Sequence, residues 1–232
     1  MMNKIAIVTG ASSGIGLEIS RMFSDMGITV YGIGRSFEGD ESFHMIKCDL
    51  LEKGAPEKII KDILDKTGGK LDILINNAGA GYYGLHEELS PAKISEMVRI
   101  NLEVPMVLTN LLLRKLKESK GDIINISSVT ALESSPHGCA YGATKAGLLS
   151  FSRSLFDEAR KYGVRVTTIL PDMTKTNLYR NADFREDEDT CAYLEPSEIA
   201  DTAAMIISSR TGLCISEITI KPQLHRIRRK KS

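Results

Sequence analysis

The sequence predicts an α/β domain: a doubly wound parallel sheet of about seven strands, flanked by helices on both faces. Three observations carry this expectation. Short β-rich runs alternate with longer helical stretches along nearly the whole chain. The strand runs are almost continuously apolar, as strands buried on both faces are. Every parallel pair needs a crossover connection, and helical stretches stand between the strand runs, the second and third excepted. A chain of 232 residues fits one such domain, with a core deep enough to exclude water from a site.

Taken in order, KIAIVT is the first strand, GLEISRMFSDMG a helix, ITVYGIG the second strand and FHMIKC the third. PEKIIKDILDKTGG follows as a helix, LDILIN as the fourth strand, and PAKISEMVRINLEVPMVLTNLLLRKLKES as a long helical stretch over 91–119. GDIINIS is the fifth strand, YGATKAGLLSFSRSLFDEARKYG a helix over 141–163, VRVTTIL the sixth strand, PSEIADTAAMIISSR a helix and ISEITI the seventh strand. Two segments break this rhythm. Residues 171–195 are long, polar and aperiodic, the pattern of a mobile lid. The tail LHRIRRKKS is strongly basic, and charge-dense termini are commonly solvated and frayed. The expected division is therefore a catalytic-sized domain over 1–221 and a basic tail over 222–232.

Thirty Lys and Arg balance thirty Asp and Glu, so no global charge steers the chain toward nucleic acid or an anionic membrane. Cys48, Cys139, Cys191 and Cys214 are far apart with no CxxC pair, which speaks against a zinc site or a disulfide framework. His86 and His137 have no ligand partners at metal spacing. The apolar run in MMNKIAIVTG is too short for a signal sequence or a membrane span. The expectation is a soluble cytoplasmic protein with a small-molecule partner and no metal.

The first strand ends directly in TGASSGIG, with Gly10, Gly14 and Gly16 ahead of a helix. Glycines there let backbone N–H groups approach a pyrophosphate, and the helix N-terminus adds partial positive charge. At the end of the second strand stands Arg35 instead of a carboxylate. A guanidinium there accommodates a ribose 2′-phosphate, which favours NADP(H) over NAD(H); the alternative leaves Arg35 on the surface with Glu38 or Asp40 on the ribose.

TGASSGIG, NNAG (Asn76 to Gly79), Asn101, INISS (Ile124 to Ser128) and YGATK (Tyr141 to Lys145) together resemble the short-chain dehydrogenase/reductase family, from Lys4 to about Ile220. The resemblance implies a Rossmann-type sheet of seven parallel strands binding a nicotinamide cofactor, and an Asn-Ser-Tyr-Lys tetrad for carbonyl/alcohol interconversion. By motif, Tyr141 and Lys145 match YxxxK, Ser128 matches the catalytic serine with Ser127 as runner-up, and Asn101 matches the helix asparagine that holds a water and the Lys. The cofactor would be held by Gly10, Ser12, Ser13, Gly14, Ile15 and Gly16, by Arg35, by Asp49 and Leu50, and by Asn77, Ala78 and Gly79. Tyr141, Lys145, Pro171, Thr174 and Thr176 would complete that set. The family's Pro-Gly after the sixth strand is replaced by Pro171-Asp172, and its VDGG-type ending by ISEITIKPQ. Family members commonly pair helices corresponding to 91–118 and 141–162 across a two-fold axis, which implies a homodimer or homotetramer.

The residues themselves agree with these roles. Positions four apart on a helix share a face, so Tyr141 and Lys145 point to one place. A free phenol has a pKa near 10, and a nearby ammonium, with the positive charge of an oxidised nicotinamide added to it, is expected to bring it toward the working range of a general acid or base. Ser128, at a strand end, would orient a substrate oxygen. The expected activity is hydride transfer between NADP(H) and a small carbonyl or alcohol. A dinucleotide-sensing binding protein is the rival, whose hallmark would be loss of Tyr or Lys; both are present. The substrate pocket is expected near 129–138, Gly81 to Leu85 and the 171–195 lid, where acidic REDED could repel anions.

Overall fold

The computed structural model describes residues 4–230. Seven parallel strands make one sheet: β1 (Ile5–Thr9), β2 (Thr29–Gly34), β3 (His44–Lys47), β4 (Ile73–Asn76), β5 (Asp122–Ile126), β6 (Arg165–Pro171) and, after a short β7 (Phe184–Glu186), β8 (Glu217–Ile220). Their order is β3-β2-β1-β4-β5-β6-β8. The chain winds outward from β1 to β3 and then returns to pair β4 with the other side of β1. Such a reversal opens a crevice beyond the carboxyl ends of β1 and β4, where ligands of this architecture bind. The predicted fold class is the observed one.

Alternation along the strands explains why their sequences read as continuously apolar. Ala6, Val8, Ile75, Ile124 and Ile169 face one layer, where they meet Ile19 and Phe23 of α1 (Gly14–Asp25) and Ile199 and Ile206 of α6 (Pro196–Ser208). Ile7, Leu74, Ile123 and Val166 face the other. There they meet Ile60 and Ile63 of α2 (Ala55–Thr67), Leu108 and Leu112 of α4 (Val104–Ser119) and Leu155 of α5 (Cys139–Ala159). Burying each such side chain stabilises the fold by about 1.5–3 kcal/mol, so both faces are needed.

Local chemistry sets several boundaries. α2 begins with Pro56 in its first turn and stops at Gly68, whose left-handed φ of 61° suits a residue without Cβ. α6 carries a capping box in which the Glu195 amide donates to the Glu198 carboxylate at 2.7 Å. Among the described residues, no helix is long and apolar enough to cross a membrane.

Two expectations are corrected. The stretch over 91–119 is not one continuous helix: α3 (Pro91–Val98) and α4 are joined by a π-helical turn over Arg99–Glu103. The Val104 amide donates to the Arg99 carbonyl, five residues back. Pro105 follows; it has no N–H for the regular ladder and its ring crowds the carbonyl four residues earlier, so the helix widens around Asn101. The basic tail, though exposed, is not frayed over its described residues. β9 (Ile227–Arg229) pairs antiparallel with β7, matching Phe184 to Arg229 and Glu186 to Ile227. Lys231 and Ser232 lie outside the described residues.

Candidate active site

The β1–α1 turn is built for the absence of side chains. Gly10 and Gly14 have φ of 68° and 56°. A Cβ at Gly10 would stand 2.8 Å from Asn77 Nδ2 and 2.9 Å from Ala78 Cα, and one at Gly16 would overlap the Gly10 carbonyl oxygen. Asn77 locks the turn, since its Nδ2 donates to the carbonyls of Thr9 at 2.9 Å and Gly10 at 3.3 Å. Thr9 Oγ1 in turn accepts from the amides of Asn77 and Ala78, both at 3.0 Å. Ser13, at the N-cap of α1, makes no side-chain cap. The first amides of this helix therefore keep their donor capacity for an anion.

The turn opens into a cleft that runs along the carboxyl edge of the sheet. Gly10, Ser12, Ser13, Gly14 and Ile15 line one end, with Arg35, Asp49 and Leu50 beside them. Asn77, Ala78 and Gly79 form its floor, Ser128, Tyr141 and Lys145 its other end, and Pro171, Thr174 and Thr176 the lid side. Arg35 is exposed and makes no ion pair among the described residues. Asp49 Oδ1 accepts from the Leu51 amide at 2.9 Å, which turns the chain so that Leu50 is buried. Thr176 packs where a Cβ on Gly14 would otherwise reach it, 3.1 Å from its Cγ2, and so ties the lid to the glycine turn. Thr174 Oγ1 donates to the Asp172 carbonyl at 2.9 Å. Gly16 and Asn101 do not line the cleft; each acts on groups that do.

Ser127 and Ser128 separate by role. The Ser127 hydroxyl donates to the Lys145 carbonyl at 3.0 Å and so fastens α5 to β5. Ser128 lines the cleft and its Oγ accepts from the Thr130 amide at 3.2 Å. Asn101 is fully buried. Its Nδ2 donates to the Ala80 carbonyl at 2.9 Å and to Thr144 Oγ1 at 3.0 Å, while its Oδ1 accepts from the Ala80 amide at 2.9 Å. Thr144 Oγ1 donates onward to the Tyr141 carbonyl at 2.7 Å. The Asn101 side chain thus braces the start of α5 against the loop after β4, and it makes no hydrogen bond to Lys145.

Tyr141 and Lys145 are each only 4% exposed, and burial governs both. Lys145 Nζ donates to the Ile126 carbonyl at 2.8 Å and lies 5.7 Å from the centre of the Tyr141 ring. Loss of water pushes the ammonium pKa down to about 8. The same loss pushes the Tyr141 phenol up to about 12, with the nearby hydroxyls of Ser128 and Tyr83 opposing. In the protein by itself, burial thus leaves the phenol above its ordinary value in spite of the two hydroxyls.

Several residues around the site escape a reading of sequence. The Asn76 amide donates to Asn125 Oδ1 at 2.8 Å, and Asn125 Nδ2 to Ser152 Oγ at 2.8 Å, a buried polar ladder from β4 to α5. INISS and NNAG contain these asparagines, but only the β4–β5 register sets them side by side. Tyr83, from the loop after β4, packs against the Tyr141 ring, and Tyr179 and Phe184 of the lid pack against Tyr83; no short-range spacing announces this meeting.

The family model described as short chain dehydrogenase matches residues 4–187. The chain belongs to the short-chain dehydrogenase family. An uncharacterized oxidoreductase of Staphylococcus epidermidis is 31% identical over 228 residues, covering 94% of this chain and 97% of that one. Among solved structures, a metagenomic short-chain oxidoreductase in complex with NADP is 30% identical, with a TM-score of 0.81 over 97% of this short-chain dehydrogenase and 99% of its counterpart. An alcohol dehydrogenase of Thermococcus sibiricus complexed with 5-hydroxy-NADP has a TM-score of 0.85 over 96% and 98% of the two chains; at 24% identity it shows the shared fold. A 3-ketoacyl-(acyl-carrier-protein) reductase of Brucella melitensis complexed with NADH does the same, with a TM-score of 0.84 over 95% and 98% at 24% identity.

Proposed function

We propose that this oxidoreductase transfers a hydride between NADP(H) and a small carbonyl or alcohol, with Tyr141 as general acid or base. One observation supports it above the others. A single cleft carries the glycine turn and Ser128, Tyr141 and Lys145, so one ligand in it can meet both an anion-binding turn and a proton donor.

The fit to a dinucleotide rests on the turn itself. At Gly10 and Gly16 any Cβ would collide with backbone or with Asn77, and the uncapped α1 N-terminus presents free amides. Gly10, Ser12, Ser13, Gly14 and Ile15 would hold the pyrophosphate, with Gly16 permitting the close approach of helix to turn. Asp49 and Leu50 would hold the adenine, Asn77, Ala78 and Gly79 the adjoining ribose, and Pro171, Thr174 and Thr176 the nicotinamide side. When bound, the cofactor supplies the hydride to the carbonyl carbon and is oxidised to NADP+, or accepts it in the reverse direction. Ser128 orients the substrate oxygen, and the Tyr141 hydroxyl gives its proton to that oxygen as the carbonyl π bond opens. Lys145, with a pKa of about 8, is mostly protonated at pH 7 and stabilises the phenolate that remains. Asn101 keeps the first turn of α5, and so Tyr141, in place through Thr144.

Arg35 supports the choice of NADP(H), as an exposed guanidinium on the rim of the cleft without a carboxylate partner. The complete Ser-Tyr-Lys set favours catalysis over a purely dinucleotide-sensing role. The reading extends to a cytoplasmic homodimer or homotetramer through α4 and α5, which light scattering would test.

Tyr141→Phe is the deciding experiment. Cofactor affinity, read by titration, should stay within about threefold, and turnover of a carbonyl reduced by the parent should fall by roughly 10²- to 10⁴-fold. Full turnover by the variant would refute Tyr141 as the proton donor.

A further inference from the structure

A closed group of rings stands against the Tyr141 phenol. Tyr83, in the loop after β4, has its ring centre 5.5 Å from Tyr141, 5.8 Å from Tyr179 and 5.2 Å from Phe184. Tyr179 and Phe184, both from the lid, are 5.5 Å apart. These are the separations of tilted and edge-to-face ring pairs, which attract beyond their shared apolar area. Met97 and Leu178 pack beside them, so the surroundings are apolar. The Tyr83 ring also folds back over its own loop. A Cβ on Gly81 would stand 2.8 Å from Tyr83 Cε2 and 3.1 Å from its hydroxyl oxygen. Gly84, with φ of 150°, bounds the loop on the other side, so Tyr83 sits between two residues that leave the backbone free to turn.

We propose that Tyr83 is the placeholder of an aromatic substrate slot, and that the enzyme acts on uncharged aryl aldehydes or ketones whose ring replaces that of Tyr83 between Tyr179 and Phe184. The inference rests on the hydride-transfer reading for its chemistry and adds the class of substrate. A substrate oxygen must reach the Tyr141 hydroxyl, and the Tyr83 hydroxyl already sits close enough to influence it. A substrate therefore displaces Tyr83. The surface uncovered is the pair of rings that Tyr83 touched, and a flat ring with its oxygen directed at Tyr141 and Ser128 restores those contacts. The carboxylates of Asp172 and Glu186 both act on the Tyr179 phenol, against its ionisation, so a second negative charge at this end is disfavoured. Reduction then takes one hydride to the aryl carbonyl carbon from NADPH, one proton to its oxygen from Tyr141, and yields the benzylic alcohol and NADP+.

The test compares benzaldehyde, cyclohexanecarbaldehyde, which has the same carbon count without a π face, and 4-carboxybenzaldehyde, all with NADPH. In parallel, calorimetry measures benzyl alcohol and cyclohexylmethanol binding to the NADPH-loaded protein, where no turnover occurs. Benzyl alcohol should bind roughly three- to tenfold more tightly than its saturated counterpart, the span expected of one or two ring pairs. Phe184→Leu should bring that ratio close to one. Tyr83→Ala and Tyr83→Phe should lower the KM for benzaldehyde, because they weaken the placeholder; 4-carboxybenzaldehyde should be the poorer aldehyde. Equal binding of the two alcohols by the parent, or a raised benzaldehyde KM in both Tyr83 variants, overturns the slot. If neither aldehyde is reduced while the aryl preference and its loss in Phe184→Leu are both seen, hydride transfer fails and the slot stands.

Discussion

Lys145 and Tyr141 act on the pH dependence of stability in separate windows. The Lys145 pKa is lowered by burial to about 8 from 10.5, so between those values the unfolded chain binds more protons than the folded one. Stability from this group rises as pH climbs from 8 to 10.5 and is lost as pH falls through 8. Tyr141 is raised to about 12 from 10; its contribution is intact below pH 10 and is lost as pH rises toward 12. Between pH 7 and 10 the lysine dominates, and one pKa unit is about 1.4 kcal/mol. Thermal unfolding of the cofactor-free protein at pH 7 and pH 10 should therefore differ between parent and Lys145→Met. The variant loses a rise of about 2 kcal/mol, and an identical pH slope in both would mean that Lys145 is not desolvated. Arg35→Asp belongs to the same scale: it places a carboxylate where a 2′-phosphate would sit. The ratio of NADPH to NADH affinity should drop roughly tenfold or more, the worth of a charge-assisted bond. These residues are legible in sequence because each has a local signature, four positions along one helix or the end of one strand. Their ionisation is not legible, since it follows from burial that only the packed structure supplies. Tyr83 and the lid pair Tyr179 and Phe184 lie in two distant segments whose meeting leaves no trace in spacing.

At the scale of elements, the C-terminal strand holds the lid. Besides the β7–β9 ladder, Lys230 Nζ donates to the Tyr179 and Arg180 carbonyls at 2.8 and 3.2 Å, and the Leu224 amide to the Cys191 carbonyl at 2.8 Å. Arg226 pairs with Asp189, and Arg228 with Asp187 and Glu188. These pairs are exposed, and such pairs each add about 0–1 kcal/mol, so backbone pairing gives most of the hold. Neither hydrophobic layer includes a residue beyond Ile220. Deleting 222–232 should thus leave the melting temperature within a few degrees while trypsin cleaves after Arg180 or Arg185 severalfold faster, as local opening would dictate. Unchanged cleavage would show that the lid holds itself. The five inner sheet strands are visible in sequence because each is buried on two faces, while the edge strands β3 and β8 show only as short β-rich runs. β7 and β9 are not visible, because each is three residues long with two charged residues and no burial pattern, and their pairing joins segments far apart in the chain. The π-helical turn at Asn101 leaves only one sign, Pro105, which also fits the first turn of a new helix.

Across the whole molecule, the two hydrophobic layers share one sheet, and a polar ladder crosses it. Asn125 is buried and joins Asn76 on β4 to Ser152 on α5. Removing its amide leaves both partners short of a hydrogen bond in a place water cannot easily reach, at a cost of about 2–3 kcal/mol. For a domain of this size each kcal/mol is worth roughly 2–4 °C, so Asn125→Ala should melt about 5–10 °C below the parent. NADP+ at about a hundred times its Kd stabilises the native state by about 2.7 kcal/mol through mass action. If the sheet unfolds as one cooperative unit, the cofactor should raise the melting temperature of parent and variant by the same increment, because binding at its carboxyl edge is read by every strand. Calorimetry of both proteins with and without NADP+ measures the two shifts. Two resolved transitions in the variant would mean that β1–β4 and β5–β8 unfold separately and that the ladder, more than the shared apolar layers, couples the cofactor end of the cleft to the half that carries Tyr141.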